Sequence, residues 1–433
     1  MDSFNYKNGS LFCESVNVDK LVDQVGSPAY IYSAETFRNH YTALRDAFAE
    51  VDPIICYSIK SCGNLHIIKL LDSLGCGMDT VSGGEVFRAK QAGADMSKIV
   101  YAGVGKTDAE ITLGINEGIG WFNIESEEEF ENIARIAETL GKQAHGALRV
   151  NPDIYDPKTH VKTNTGKKET KFGVDIERAK QFFRSYGKNQ HCRLDAIHLH
   201  IGSPIYSPDP YVMAIEKALV LIDELRAEGF EVNTLDIGGG YAADYETGKS
   251  PSYKTYADAI VPLIKGKDLK IIIEPGRTIS GNSGILVGDV QYIKQGGNKK
   301  FAILNTGMHH LLRPAMYEAF HFVWPTAVAP EHMVTARTDN MDLPNLEKFD
   351  VVGPICESSD TIAKERMIPA VKRGDRIAIF TAGAYGMVMA SNYNAMPRPV
   401  EVLVDGTDAT IIRKRETYND VVALERDTEQ VLL

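Results

Sequence analysis

TLDIGGG (residues 234–240) and IIIEPG (residues 271–276) decide the fold. Each is a short, largely apolar run that stops at glycines or charged residues. Working outward toward the N-terminus, six more runs of the same kind appear. They are IICYSIK (54–60), GMDTVS (77–82), IVYAG (99–103), WFNIES (121–126), GALRVN (146–151) and AIHLHIG (196–202). Near-continuous apolar strands of this length belong in a buried parallel sheet.

The intervening stretches have helical periodicity. NLHIIKLLDSLG (64–75) places Leu65, Ile68, Leu71 and Leu74 on one face. EEEFENIARIAETLG (127–141) is a second such segment, and YVMAIEKALVLIDELRAEG (211–229) a third, with Gly229 as its stop. Eight strands in alternation, seven followed by a helix-like segment, predict a (β/α)8 barrel. An open doubly wound sheet is the alternative, but no GxGxxG follows the first strand.

After residue 276 the texture changes. GILVGDVQYIK (284–294), KFAILNTG (300–307), DRIAIFTAGAY (375–385) and PVEVLVDG (399–406) alternate with turns, and helical stretches are few. The fold class is therefore α/β plus β. The barrel is expected over 31–276 and a mainly β, sandwich-like domain over 277–433. The segment 1–30, with strand-like LFCESVNV (11–18) and PAYIYS (28–33), is expected to join the β domain.

Length and composition narrow the class. A chain of 433 residues exceeds one ordinary core. A net charge of −11 without a basic patch argues against nucleic acid. No apolar run is long enough for a bilayer, and MDSFNYKNGS has no secretory signal, so a cytoplasmic location is expected. The six cysteines (13, 56, 62, 76, 192 and 356) form no CxxC pair, so neither zinc nor another metal is expected.

Barrel enzymes carry their chemistry at the C-terminal ends of the strands. Those ends hold Lys60, then Asp79 and Ser82, then Arg149 and Asn151. The sixth run ends in His198, His200 and Ser203, the seventh in Gly238, Gly239 and Gly240, and the eighth in Glu274, Gly276 and Arg277. Each has a plain reading. A lone strand-end lysine is solvated, a lone histidine sits in the core, three glycines make a turn, and Glu274 pairs with Arg277. Together they describe one site. A lysine there can form a Schiff base if its pKa falls. Glycines admit a phosphate close to the backbone. An acid can hold a pyridine nitrogen protonated and make the ring an electron sink. That set describes pyridoxal phosphate.

The ordered motifs YSIK (57–60), MDTVSGGE (78–85), HLHIGS (198–203), LDIGGGY (235–241), EPGR (274–277), LLRPAMYEAFH (311–321), GPICESSD (353–360) and GAYG (383–386) cover nearly the whole chain. In these the sequence resembles the fold-type III pyridoxal-phosphate decarboxylases, with an alanine-racemase-like barrel, and among them the diaminopimelate decarboxylases. The resemblance implies decarboxylation of meso-2,6-diaminopimelate to L-lysine and carbon dioxide with pyridoxal 5'-phosphate. It implies that Lys60 carries the cofactor, Asp79 lies near that end of the ring, His200 stacks on it and Glu274 bonds its nitrogen. Ser203, Gly239, Gly240, Gly276 and Arg277 would surround the phosphate and nearby substrate. Arg313 and Tyr317 would bind the distal carboxylate, with Cys356, Glu357 and Tyr385 completing the site. Cys356 is the candidate proton donor. The CESSD segment would come from the other subunit of a homodimer with shared active sites. VNPDIYDPKTHVKTNTGKKETKFGV (150–174) is similar to the family's long active-site loop.

Pro204 stands where the family commonly has glutamine, Ser61-Cys62 where Ala-Asn is usual, and Ser359 where glycine is usual. None removes a reacting group. Rival readings are a same-fold decarboxylase of ornithine, arginine, carboxynorspermidine or a carrier-bound substrate, an amino-acid racemase, and a non-catalytic cofactor carrier. The carrier would need only the barrel.

Overall fold

The computed structural model describes residues 2–154, 156, 171–339 and 341–426. They form two compact units. One comprises Arg38–Ala243 and Lys249–Ile279. The other comprises the described residues of Met1–Phe37, Asp244–Gly248 and Ser280–Leu433.

In the first unit eight parallel strands close on themselves. They are β1 (Ile54–Ser58), β2 (Gly77–Thr80), β3 (Ile99–Tyr101), β4 (Trp121–Ile124), β5 (Ala144–Asn151), β6 (Cys192–His198), β7 (Thr234–Asp236) and β8 (Lys270–Ile273). Each pairs with the next, and β8 pairs back to β1, so the barrel has no open edge. Cys56, Val100, Trp121, Ala147, Ala196 and Ile272 pack together, with the bulk of one indole matched by two alanines. Burial of each large side chain stabilises by about 1.5–3 kcal/mol.

The seven helices that follow β1 to β7 explain the periodicity. Six open on a short polar cap whose side chain accepts a backbone N–H: Asn64, Ser82, Thr107, Ser126, Asp175 and Ser252. Each such cap contributes about 1 kcal/mol. Behind Ser126, three glutamates occupy the positive end of the helix. In Leu65–Asp72 the buried face is Ile67, Ile68 and Leu71, while Leu65 is exposed and Leu74 falls in the turn beyond. The expected face was therefore rotated, because the capped helix is too short to carry Leu74.

The second unit is mainly sheet. Its main path runs Thr361–Pro369, Leu346–Val352, Lys299–Leu304, Gly284–Gly296, Ala29–Ser33, Val400–Asp405, Asp408–Arg413. Gly284–Gly296 changes partners along its length. Its first residues pair with Ala29–Ser33 and Arg376–Ile379, its last with Lys299–Leu304. Ala29–Ser33 is buried throughout and lies between Gly284–Gly296 and Val400–Asp405, so residues 31–33 belong to this sheet rather than to the barrel. LFCESVNV is two strands, Ser10–Cys13 and Val16–Asn17, because Glu14 turns the chain in the left-handed region at φ 53°. Among the described residues no helix is long and apolar enough to cross a membrane.

Candidate active site

β1 stops at Ser58, and Lys60 lies in the single turn Ile59–Ser61 that follows. Lys60 Nζ is 2.9 Å from Asp79 Oδ2 at the end of β2. Ser58 Oγ donates to the same oxygen at 2.5 Å. Asp79 is fully buried. Burial raises its pKa, against the pull of Lys60, and Glu274 adds to the rise. The departures Ser61 and Cys62 are absorbed locally. Ser61 Oγ donates to the Ser58 carbonyl at 2.8 Å, and Tyr57 donates to the Cys62 carbonyl at 3.1 Å.

Glu274, just past β8, is buried at 3% exposure. Asn123 Nδ2 donates to its Oε1 at 3.0 Å, and His198 Nε2 lies 3.2 Å from its Oε2. Burial pushes this carboxyl up, but the His198 contact outweighs it and leaves Glu274 well below the ordinary carboxylate range. Asp236 is driven the other way, first by burial and then by the charge of Glu274. The side-chain ligand atoms of His198, Asp236 and Glu274 come within 4.8 Å of one another, a spacing that suits a cation. Within this group Glu274 already takes one contact on each oxygen, from Asn123 and from His198.

His200 is half-buried beyond β6. Burial, then the charges of Arg149 and Lys60, hold its pKa well below normal, so the ring is neutral. Arg277 Nε donates to Ser203 Oγ at 3.2 Å, and the Ser203–Pro204 bond is cis. In the glycine run, a Cβ on Gly239 would stand 2.1 Å from the Glu274 carbonyl oxygen, and one on Gly240 2.2 Å from that of Gly202. Tyr211 donates to the Gly239 carbonyl at 2.8 Å and Ile205 N–H to that of Gly240 at 2.8 Å. The carbonyls thereby orient the turn. Arg149 is spoken for: its Nη1 meets Glu125 Oε1 at 2.8 Å, and the other Glu125 oxygen accepts from Gly173 N–H at 2.7 Å. This buried pair holds the returning end of the 150–174 segment. Residues 155 and 157–170 of that segment lie outside the described residues.

The remaining candidates lie in the second unit. Arg313 opens the short helix Arg313–Tyr317 and is buried, with Tyr317 half-buried. Of the six cysteines five are buried and Cys356 is exposed, contrary to the usual fate of a free thiol. Its N–H donates to Asn394 Oδ1 at 3.1 Å. Glu357 accepts from Tyr393 and, at 3.0 Å, from Ser359 Oγ, and these two donors lower its pKa. Serine in place of glycine at 359 thus adds a contact to Glu357. Asp360 is buried and accepts from Met308 N–H at 2.6 Å and Ile355 N–H at 2.7 Å. Tyr385 is half-buried, with a left-handed backbone at φ 55°.

A family profile described as "Pyridoxal-dependent decarboxylase, pyridoxal binding domain" matches residues 34–281. This chain belongs to that decarboxylase family. A diaminopimelate decarboxylase of Aquifex aeolicus is 43% identical over 418 residues, 96% of each chain. The crystal structure of diaminopimelate decarboxylase from Helicobacter pylori complexed with L-lysine superposes with a TM-score of 0.88 at 37% identity, covering 94% of this chain and 99% of that one. The enzyme from M. jannaschii in co-complex with L-lysine gives 0.90 at 35% identity, covering 99% and 98%. Pyridoxal use is a property of this decarboxylase family.

Within the decarboxylase barrel, sequence reasoning missed Asn123 and Asp236. An asparagine inside the otherwise apolar WFNI of β4 was the available signal for the first, since a buried amide needs a partner.

Proposed function

We propose that this chain decarboxylates meso-2,6-diaminopimelate to L-lysine and carbon dioxide with pyridoxal 5'-phosphate, the last step of lysine biosynthesis. The placing of Lys60 beside buried Asp79 carries the cofactor half of this assignment, because it fixes a primary amine at a barrel rim. The donor set suits the cofactor. Glu274 is a buried carboxylate kept charged, which a protonated pyridine nitrogen requires. The turn at Gly239 and Gly240 packs so closely on neighbouring carbonyls that a side chain is excluded, as a phosphate cradle needs.

When bound, pyridoxal phosphate supplies an electron sink for the pair left on carbon as carbon dioxide departs. Lys60 would hold the cofactor, with Asp79 orienting the amine. Neutral His200 would lie against the ring, and Glu274, fixed by Asn123 and His198, would hold the ring nitrogen. Ser203, Gly239, Gly240, Gly276, Arg277 and Tyr385 would surround the phosphate. Arg313 and Tyr317, with Arg277, Glu357 and Tyr385, would bind substrate. The bond from the α-carbon to the carboxylate breaks, and Cys356 delivers a proton to that carbon. An exposed Cys356 supports a homodimer in which this segment completes the partner's site. The location is cytoplasmic.

The test is incubation of purified protein with pyridoxal phosphate and meso-diaminopimelate, measuring carbon dioxide and L-lysine. Parallel arms contain ornithine, arginine and carboxynorspermidine. Lysine formed from diaminopimelate alone is the expected result. Turnover of another amine without lysine overturns the substrate assignment and keeps the reaction type. No turnover of any of them overturns both.

A further inference from the structure

LLRPAMYEAFH (311–321) ends in a histidine that the proposed mechanism leaves unused. His321 is fully buried, and Arg313 is 7% exposed. We infer that His321 is a positioning residue for Arg313, fixing the guanidinium in the orientation that receives the distal carboxylate of the substrate.

The two hydrogen bonds of the imidazole define its state. Arg313 Nη1 lies 2.8 Å from His321 Nε2. A guanidinium only donates, so Nε2 carries the lone pair. His321 Nδ1 lies 2.9 Å from the Phe380 carbonyl oxygen, which only accepts, so Nδ1 carries the proton. Both contacts together require the neutral ring in a single tautomer. Tyr245 adds a third constraint. Its ring lies 4.5 Å from the Arg313 guanidinium and meets the His321 ring edge-on at 5.4 Å and 88°. The chain Phe380 carbonyl, His321, Arg313 therefore runs from backbone to guanidinium without a rotatable gap.

A neutral acceptor has a specific advantage here. A carboxylate partner would orient an arginine and also cancel much of its charge. An imidazole lone pair orients Nη1 without itself cancelling the cation's charge. A planar fork already held in place also loses less freedom when the substrate arrives. The effect belongs in affinity rather than in the bond-breaking step, because the distal carboxylate is remote from the carbon that reacts.

This inference rests on Arg313 binding the distal carboxylate, and the experiment separates the two. The full chain, loaded with cofactor, is prepared as His321→Gln, His321→Asn, His321→Leu and Arg313→Met. Glutamine can place its amide oxygen where Nε2 stands and keep the acceptor for Arg313. Asparagine can keep the bond to the Phe380 carbonyl but cannot reach Arg313. The expected result is a KM for diaminopimelate raised about tenfold, or about 1.4 kcal/mol, in the Asn and Leu variants. In these, kcat stays within about threefold of wild type, and the Gln variant returns near the wild-type KM. The dissociation constant of L-lysine, measured by calorimetry, should move in parallel. Rescue by asparagine and not by glutamine, with melting temperature following the same order, would make His321 a structural anchor and overturn the inference. So would unchanged KM in all three while Arg313→Met raises it. If Arg313→Met itself leaves KM unchanged, the role of Arg313 is overturned, and this inference with it.

Discussion

The barrel rim and the Cys356–Asp360 segment solve opposite problems. At the rim, Lys60, Asp79, Asn123, His198 and Glu274 come from or just beyond strand ends, and four of them, Asp79, Asn123, His198 and Glu274, are at most 3% exposed. Their hydrogen bonds are largely to one another. Such a frame is preorganised, and its electrostatics are settled before any ligand arrives. In the second unit, Cys356 and Glu357 stand exposed on a loop, with only Asp360 buried beneath them. One region is complete within its own sheet. The other presents reactive groups outward, as a surface that finishes a site elsewhere would.

That contrast can be broken in four ways. Lys60→Ala should have the largest effect, a loss of kcat of at least about 10³-fold together with the absorbance band of the bound cofactor. Wild-type turnover in this variant would remove the rim from the chemistry. Cys356→Ala should slow turnover by roughly 10²-fold through lost proton delivery while cofactor binding stays intact. Loss of cofactor instead would move Cys356 into the cofactor-holding frame. The two variants then test each other. After mixing and subunit exchange, half the dimers are mixed and each has one intact site, so about a quarter of wild-type activity should return. No recovery on mixing would mean that each chain builds its site alone.

The smallest expected effect concerns the rim only. Burial lifts Glu85 to about 7, against a hydrogen bond from Val81 N–H. The native state then binds this proton more tightly than the unfolded chain does. Its stabilising contribution is full below an unfolded pKa near 4.5 and is lost as pH rises through about 7. Glu85→Gln keeps an oxygen for Val81. Its melting temperature should match wild type at pH 5 and exceed it by roughly 1–3 °C at pH 8. Equal melting temperatures at both values would show that Glu85 is not strained at the rim.

The same contrast explains what could be read from residues alone. Barrel strands are buried on both faces, so each stands out as an apolar run, and the residue where the run breaks marks the rim. Lys60, Asp79, His200 and Glu274 could be placed at the rim for that reason. Asn123 was not legible as the partner of Glu274, since the pair is 151 residues apart and joined only by barrel closure. Likewise Arg313 and His321 meet through a helix of five residues and a turn, which leaves no periodicity to read. The hairpin in 10–17 was hidden because a left-handed glutamate, not a glycine, makes its turn.

Asp360 has a wider consequence. A Cβ on Gly307 or on Gly353 would stand 2.3 Å from one of its carboxylate oxygens, and its two acceptor bonds hold Met308 and Ile355. One carboxylate thus rivets the stretch leading to Arg313 onto the stretch bearing Cys356. The two cannot drift independently over generations of sequence change: an insertion or a bulkier residue at either seam displaces both the proposed proton donor and the proposed substrate anchor. A change of preferred amino acid is therefore easier to make in the side chains hung on this rivet than in the rivet itself.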